Sequence, residues 1–197
     1  MTTTESPTAL LSTNDGKHVP GQPDMWVFVF FESLVFTSYF CVYLYARTQH
    51  EGSFLRSQSH LLLWLGVLDT VVLLTSSWAV ARCVQHARAR SYERAQRTAW
   101  VTAALGLVFL LLKIVEWVRL IHMGNTFTSS QFFQYYFFLT AIHFVHLLIG
   151  FVVVGILILQ LKDAKRRRQQ TVETCATYWH TVDFFWVLIF ALLYVVR

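Results

Sequence analysis

The chain has 197 residues, of which 55% are hydrophobic and only 14% are charged, and it carries a net charge of +5. This balance leaves little sequence for a soluble domain. A run of about 20 apolar residues is long enough to cross the hydrocarbon core of a bilayer. Five such runs lie at about 25–46, 61–81, 99–121, 132–161 and 178–196. We therefore predict an all-α, polytopic membrane protein in which residues 25–197 form a bundle of five transmembrane helices.

The first 24 residues differ in character from the rest of the chain. They are rich in Thr and Ser and contain no apolar core preceded by basic residues, so a cleaved signal peptide is not expected. Residues 1–24 are predicted to form a disordered cytoplasmic tail. The helix-breaking cluster Pro20-Gly21-Gln22-Pro23 separates this tail from the first span.

Basic residues concentrate between the second and third runs and between the fourth and fifth. The first group is Arg82, Arg88, Arg90, Arg94 and Arg97, and the second is Lys162, Lys165, Arg166, Arg167 and Arg168. With five crossings, both groups fall on the side of the N-terminus. The positive-inside rule then predicts a cytoplasmic N-terminus and an outside C-terminus in the cell (inner or plasma) membrane. This explanation is preferred over a basic nucleic-acid-binding patch, and no nucleic-acid partner is expected.

The first two spans each contain a carboxylic acid. Ionisable groups at membrane depth are costly and usually have a partner. Glu32 lies roughly 10 Å past the cytoplasmic end of the first span, at about 1.5 Å per residue, and is either protonated, paired or part of a proton path. Asp69 lies near the middle of the second span and is expected to face the protein interior. A transporter that uses both carboxyls is the weaker alternative, because no inverted repeat or Gly/Pro-broken helix pair is visible.

The third span contains three charged residues at intervals of three, namely Lys113, Glu116 and Arg119. This spacing puts neighbouring side chains on one helical face. Neutralisation of Glu116 by both cations is the favoured interpretation. The alternative is that Glu116 partners a histidine on another span.

The fourth span contains His143 and His146, one turn apart near mid-membrane. We expect His146 to approach Glu32 in the interior of the helix bundle, because either group would be costly to leave unpaired at that depth. Ligation of a metal or haem by the two histidines, with Glu116 opposite, is the minor alternative. The other candidate ligands lie near span ends: His60, His122 and His180. No catalytic residue and no metal ligand are predicted in the chain.

The start of the fifth span is the most unusual stretch of the sequence. Glu173 precedes it, and its first turns contain Trp179, His180 and Asp183. The Asp183 carboxylate can orient or charge the His180 imidazole. A buried His–Asp pair at a helix interface is favoured over a catalytic pair.

Taken together, these segments resemble subunit III of the haem-copper oxidases, the cytochrome c oxidase type. The resemblance covers about residues 20–197 and follows the chain in order. It rests on Phe31-Glu32-Ser33-Leu34-Val35-Phe36, Leu68-Asp69-Thr70 with Thr75-Ser76-Ser77, Glu116-Trp117, Thr140-Ala141-Ile142-His143-Phe144-Val145-His146, and Glu173 with Tyr178-Trp179-His180-Thr181-Val182-Asp183 and Trp186.

Three features depart from the family pattern. Ala141 and Phe144 replace both glycines of the histidine motif, so the backbones are expected to pack less closely there. Asp69 stands where Asn is usual. The two helices that open longer family members are absent, which leaves a five-helix, divergent form.

The resemblance implies a non-catalytic subunit of an aa3-type terminal oxidase, which stabilises the catalytic subunit and supports proton uptake. It also implies that haem and copper belong to partner subunits, that subunits I and II are the partners, and that lipids bind in a cleft between helices. The nine residues named above as signature or buried polar positions then serve packing and interfaces: Glu32, Asp69, Glu116, His143, His146, Glu173, Trp179, His180 and Asp183. The alternatives are an accessory subunit of a nitric-oxide reductase and, in another class, a stand-alone di-haem membrane cytochrome.

Overall fold

The computed structural model describes residues 23–163 and 167–196. The predicted tail over residues 1–22 and the loop residues 164–166 lie outside this part of the chain. Six α-helices form the described part: α1 (Pro23–Gln49), α2 (Glu51–Gln58), α3 (Leu63–Arg88), α4 (Tyr92–His122), α5 (Gln131–Lys162) and α6 (Gln169–Phe190). A π-helical turn, Ala191–Val195, continues α6, and Val196 is the last described residue.

Five of these helices are long and apolar enough to cross a membrane. A helix suits this solvent because it satisfies all of its backbone hydrogen bonds internally. The prediction of an all-α, five-span membrane protein is thus confirmed. The chain is a multi-pass membrane protein.

The helices extend beyond the predicted spans at the end of the bundle where α3 meets α4. The helix α3 continues to Arg88 and α4 begins at Tyr92, so the connection is only residues 89–91. Most of the arginines between the second and third apolar runs are therefore helical. The length of an apolar run corresponds to the thickness of the hydrocarbon core of the bilayer. A helix, however, continues into the polar region wherever its backbone hydrogen bonds are formed.

The same correction applies to α6. It begins at Gln169, nine residues before the predicted start of the fifth span at residue 178. Glu173 therefore lies within the helix, and His180 lies eleven residues from its first residue rather than at its entrance. The unusual polar stretch is consequently placed against neighbouring helices along the first half of α6.

The short helix α2 was not predicted from the sequence. It connects α1 to α3, and it buries Phe54 against the rings of Phe132 and Tyr135 on α5. The hydroxyl of Ser57 lies 3.1 Å from that of Ser130, the N-cap residue of α5. Eight residues are too few for a hydrophobic period to reveal such a helix.

The last helix lies at the centre of the bundle. It contacts α3 and α5 extensively and α1 to a smaller extent, while α3 packs against α4 and α4 against α5. Half of the most apolar stretch of α6 is buried within the chain, compared with 17% of that of α1. Most of the surface of α1 is therefore open to lipid or to a partner.

Two glycines allow Trp179 to pack at the centre of the bundle. A Cβ atom added to Gly106 on α4 would lie 2.9 Å from the indole, and one added to Gly150 on α5 would lie 3.1 Å from it. Trp179 is fully buried between them. Small residues permit such close approach between membrane helices. Gly106 and Gly150 both lie outside the histidine motif, in which Ala141 and Phe144 replace the two glycines of the family.

The last carbonyl groups of the described chain accept hydrogen bonds from side chains at the end of α1 and on α2. Arg47 donates to the oxygen of Val196 at 2.7 Å, and Gln58 donates to the oxygens of Leu193 and Val196. These bonds supply partners for carbonyl groups that a helix end leaves free. They fasten α1 and α2 to the end of α6.

Candidate functional site: polar side chains buried between helices

A charged cluster lies between α3, α4 and the π-helical turn. It consists of Asp69, Lys113, Glu116 and Tyr194, each of which is at most 3% exposed. The Lys113 ammonium nitrogen lies 2.8 Å from Oδ2 of Asp69 and 2.5 Å from Oε2 of Glu116. The Tyr194 hydroxyl lies 2.8 Å from both carboxylate oxygens of Glu116. One cation thus joins acidic groups from two helices.

Aromatic side chains complete the surroundings of Lys113. Its nitrogen lies 4.4 Å from the centre of the Trp186 ring and 5.9 Å from that of Phe109. Phe109 lies on α4 and Trp186 on α6, and the two rings shield the ammonium group from water. Contact with an aromatic face is favourable for a desolvated ammonium group. Trp186 is itself oriented by its hydrogen bond to the Thr70 hydroxyl.

The cluster contains more acid than base. If Asp69, Glu116 and Lys113 are all ionised, two carboxylates face one ammonium group. An uncompensated charge is expensive in a buried, apolar environment. The arrangement is therefore suited to holding the helices in register and to retaining a proton.

The structure corrects the predicted partners of Glu116. Lys113 contacts it as expected, but within the described residues no ion pair joins Arg119 to Glu116, and Nη1 of Arg119 has no hydrogen-bond partner. The second partner is Tyr194, which was not predicted. Both oxygens of Glu116 accept hydrogen bonds from this tyrosine, and no histidine contacts them in the described part of the chain.

The predicted approach of Glu32 and His146 is confirmed. Oε2 of Glu32 on α1 lies 3.3 Å from Nε2 of His146 on α5. The other ring nitrogen of His146 lies 2.9 Å from the carbonyl oxygen of Ile142, which orients the imidazole. The two side chains are 17% and 19% exposed. The contact was predicted correctly but its location was not, because the pair lies at the edge of the bundle rather than in its interior.

His143 lies in a different environment from His146 although the two are one turn apart. It is fully buried, and neither ring nitrogen has a hydrogen-bond partner among the described residues. Its ring packs against Phe109 and Trp186, the same two rings that surround Lys113. The described residues contain no cluster of three potential metal-ligating side chains. His143 and His146 thus do not converge on one point with a third ligand.

The polar residues of α6 face α3. Nδ1 of His180 lies 2.6 Å from the hydroxyl of Ser77, and the indole of Trp179 donates to the hydroxyl of Ser76. The predicted pairing of His180 with Asp183 is therefore not seen in the described part of the chain. Asp183 is buried, and its carboxylate oxygens have no hydrogen-bond partner in residues 23–163 and 167–196.

Glu173 joins α6 to α3 at the arginine-rich end of the bundle. Its Oε1 accepts hydrogen bonds from Nε and Nη2 of Arg88 on α3, at 3.1 and 2.9 Å, and from Gln169 on its own helix. Glu173 is 5% exposed, whereas the Arg88 side chain is 57% exposed. The acidic signature position is thus the buried member of an ion pair that joins α3 to α6.

Comparisons with known proteins agree with the resemblance seen in the sequence. A family model described as cytochrome c oxidase subunit III matches residues 21–196. The chain is 30% identical over 175 residues to cytochrome c oxidase subunit 3 of Bacillus sp. (strain PS3), covering 86% of this chain and 82% of that protein. It is 27% identical over 186 residues to the Thermostichus vulcanus protein of the same description, covering 90% of each. It is also 27% identical over 185 residues to heme-copper oxidase subunit I+III of Aeropyrum pernix, covering 87% of this chain and 22% of that protein.

Proposed function

We propose, because this chain belongs to the cytochrome c oxidase subunit III family, that it is a non-catalytic subunit of an aa3-type terminal respiratory oxidase. The observation that carries this proposal is the family match over residues 21–196, which includes all five membrane helices. Electron transfer to oxygen is assigned to haem and copper in partner subunits. This chain is assigned no catalytic centre.

The partner subunits follow from the same assignment. A relative described as heme-copper oxidase subunit I+III joins both parts in one chain, which supports direct contact between this protein and the catalytic subunit I. Subunit II is the second expected partner. We place the complex in the cell membrane, with the N-terminus of this chain in the cytoplasm, because the Arg-rich end of the bundle then satisfies the positive-inside rule.

The proposed role is to stabilise the catalytic subunit. A rigid support requires helices that keep their relative positions, and the buried contacts of Lys113 with Asp69 and of His180 with Ser77 join different helices. Membrane lipids are expected on the open surface of α1, of which little is buried within the chain. Support for proton uptake is proposed for the Glu32–His146 pair, because both side chains are ionisable, lie in contact and are partly exposed.

A comparison of membranes with and without the chain tests this role. Cytochrome c oxidation is followed from the first turnovers until activity is lost. We expect similar initial rates per haem and a shorter active lifetime without the chain. Loss of the initial rate in fully assembled, haem-replete oxidase would show that the chain takes part in turnover directly.

A further inference from the structure

A cavity of about 300 Å³ adjoins the charged cluster, at the end of the bundle opposite the arginine-rich end. Its lining includes Gln58 on α2 and Tyr194 on the π-helical turn. Gln58 is 6% exposed, and its side-chain oxygen has no hydrogen-bond partner in the described chain. A buried polar atom without a protein partner is commonly satisfied by a water molecule. The cavity is therefore suited to holding water next to Tyr194.

Tyr194 connects this cavity to the two buried acids. Its side chain lines the cavity, and its hydroxyl lies 2.8 Å from both carboxylate oxygens of Glu116 and 3.2 Å from Nζ of Lys113. The same nitrogen lies 2.8 Å from Oδ2 of Asp69. Carboxyl, ammonium and phenol groups can all transfer protons. A continuous series of such groups thus leads from the cavity to Asp69.

The charges on α3 and α4 leave one acid of the cluster without a cation of its own. The helix α3 contributes Asp69, and α4 contributes Lys113 and Glu116. Arg119 lies one turn further along α4, but it forms no ion pair with either acid within residues 23–163 and 167–196. Two carboxyl groups therefore depend on a single ammonium group.

The other helices around the cluster supply no further charge. On α5, Tyr136 and His143 are fully buried, and the polar atoms of both side chains lack hydrogen-bond partners among the described residues. A charge on either would be unpaired and costly, so both are neutral. The helix α6 contributes the uncharged ring of Trp186. On α1, Tyr43 and Arg47 donate to backbone carbonyl groups at the end of the chain instead. One proton is therefore needed to balance the second acid.

The two acids differ in the number of groups that stabilise their ionised form. Glu116 contacts Lys113 and accepts hydrogen bonds from Tyr194. Asp69 contacts Lys113 through Oδ2, and its Oδ1 is buried without a partner in the part of the chain that the structure describes. Cations and hydrogen-bond donors favour a carboxylate over its protonated form. Glu116 is thus the better-stabilised carboxylate, and Asp69 is the acid that retains the proton.

We propose that Asp69 holds a proton because it shares Lys113 with Glu116, and that this proton exchanges with water in the cavity through Tyr194. In each exchange, the Tyr194 hydroxyl gives a proton to Glu116 and takes one from water. The Lys113 ammonium group gives a proton to Asp69 and takes one from Glu116. The tyrosine and the lysine thus end with the protons that they began with, and the net change is one proton on the Asp69 carboxylate.

This proton-binding site is distinct from the Glu32–His146 pair, which joins α1 to α5 at the edge of the bundle. It belongs to α3, α4 and the π-helical turn. The site requires only the fold of this chain and does not depend on the assignment to an oxidase.

Infrared spectroscopy of the purified full chain, in its complex where one is retained, tests the shared proton. A protonated carboxyl group has a carbonyl band of its own, which shifts when deuterium replaces the proton. At neutral pH we expect such a band in the parent chain. It should be lost in Asp69→Asn and equally lost in Glu116→Gln, because either substitution leaves one acid for one cation.

Asp183→Asn is the matched control, because Asp183 is a buried acid that does not contact Lys113 in the described chain. It should leave this band unchanged. Retention of the band in both cluster variants, its loss in only one of them, or its loss in Asp183→Asn would each overturn the shared proton.

Transfer of the same samples to deuterated water tests the route. The band of the parent chain should shift as the proton exchanges. Tyr194→Phe should keep the band but slow its shift by about a hundredfold, the lower end of what a positioned proton-transfer group contributes. Absence of any shift in the parent chain would overturn access to the cavity.

Tyr43→Phe is the control for the route. The Tyr43 hydroxyl donates to the carbonyl oxygen of Leu192 at the same end of the bundle, but Tyr43 does not line the cavity. Its variant should exchange at the rate of the parent chain. An unchanged rate in Tyr194→Phe, or equal slowing in both variants, would overturn the part assigned to Tyr194.

Discussion

The ammonium nitrogen of Lys113 on α4 lies 2.8 Å from Oδ2 of Asp69 on α3, and both side chains are essentially inaccessible to solvent. Lys113 also contacts Glu116 on its own helix. The lysine is thus the shared cation of two acids, and its loss has different consequences from the loss of either acid. Substitution of the lysine and substitution of one acid should therefore change the stability of the chain by different amounts.

Lys113→Met is expected to destabilise the chain by about 3–5 kcal/mol, because it leaves two buried carboxyls without their cation. Asp69→Asn is the matched variant, since it retains shape and leaves one cation facing one carboxylate. We expect its stability to equal or exceed that of the parent chain. Thermal unfolding in detergent measures both. A large loss for Asp69→Asn with little loss for Lys113→Met would contradict this account of the charges.

Gly106→Ala is expected to destabilise the bundle by about 1–3 kcal/mol through overpacking. The new methyl group would lie 2.9 Å from the Trp179 indole, which is fully buried and cannot move freely. Gly155→Ala on α5 is the control, because an added Cβ meets nothing within 4 Å there. It should be neutral or stabilise the helix by about 0.5–1 kcal/mol. Equal melting temperatures for the two variants would argue against a tightly packed Trp179.

The Glu32–His146 contact should be energetically coupled. A double-mutant cycle with Glu32→Ala and His146→Ala is expected to give a coupling energy of about 0.5–1.5 kcal/mol, the range of polar contacts between membrane helices. Glu51 is exposed on α2 and offers a control acid. Its cycle with His146 should give coupling near zero. The same coupling in both cycles would mean that the 3.3 Å contact contributes nothing specific.

His180→Ala is expected to shorten the active lifetime of the oxidase more than it lowers the initial rate. The substitution removes a hydrogen bond between α6 and the Ser77 hydroxyl on α3, which contributes about 1 kcal/mol. Ser77→Ala should have a similar effect, and the double variant should add little to either. Turnover of intact, haem-matched complexes provides the measurement. An equally large fall in the initial rate would indicate a direct part for His180 in turnover.

The sequence predicted the five long helices because the length of an apolar run is a local property. It could not give the ends of α3 and α6, since helix continues beyond the apolar stretch to bring Arg88 and Glu173 together. The Glu32–His146 contact followed from matched depth and the cost of unpaired groups.

Other contacts depended on how the helices are rotated and ordered. Lys113 was paired correctly with Glu116 through their spacing, but its contact with Asp69 crosses to another helix. Spans that are apolar on all sides give little indication of which face meets which neighbour. The contact of Tyr194 with Glu116 joins residues 78 positions apart, through the last turn of the chain. No short-range pattern predicts such a contact.

Affinity purification of the tagged full-length chain from its native membrane, followed by identification of its partners and an optical spectrum, tests the central claim most directly. We predict that oxidase subunits I and II co-purify with it and that the haem absorbance follows those subunits. The chain stripped of its partners should show no haem band. Stoichiometric haem on the isolated chain, or co-purification with reductase subunits in place of the oxidase, would contradict the assignment.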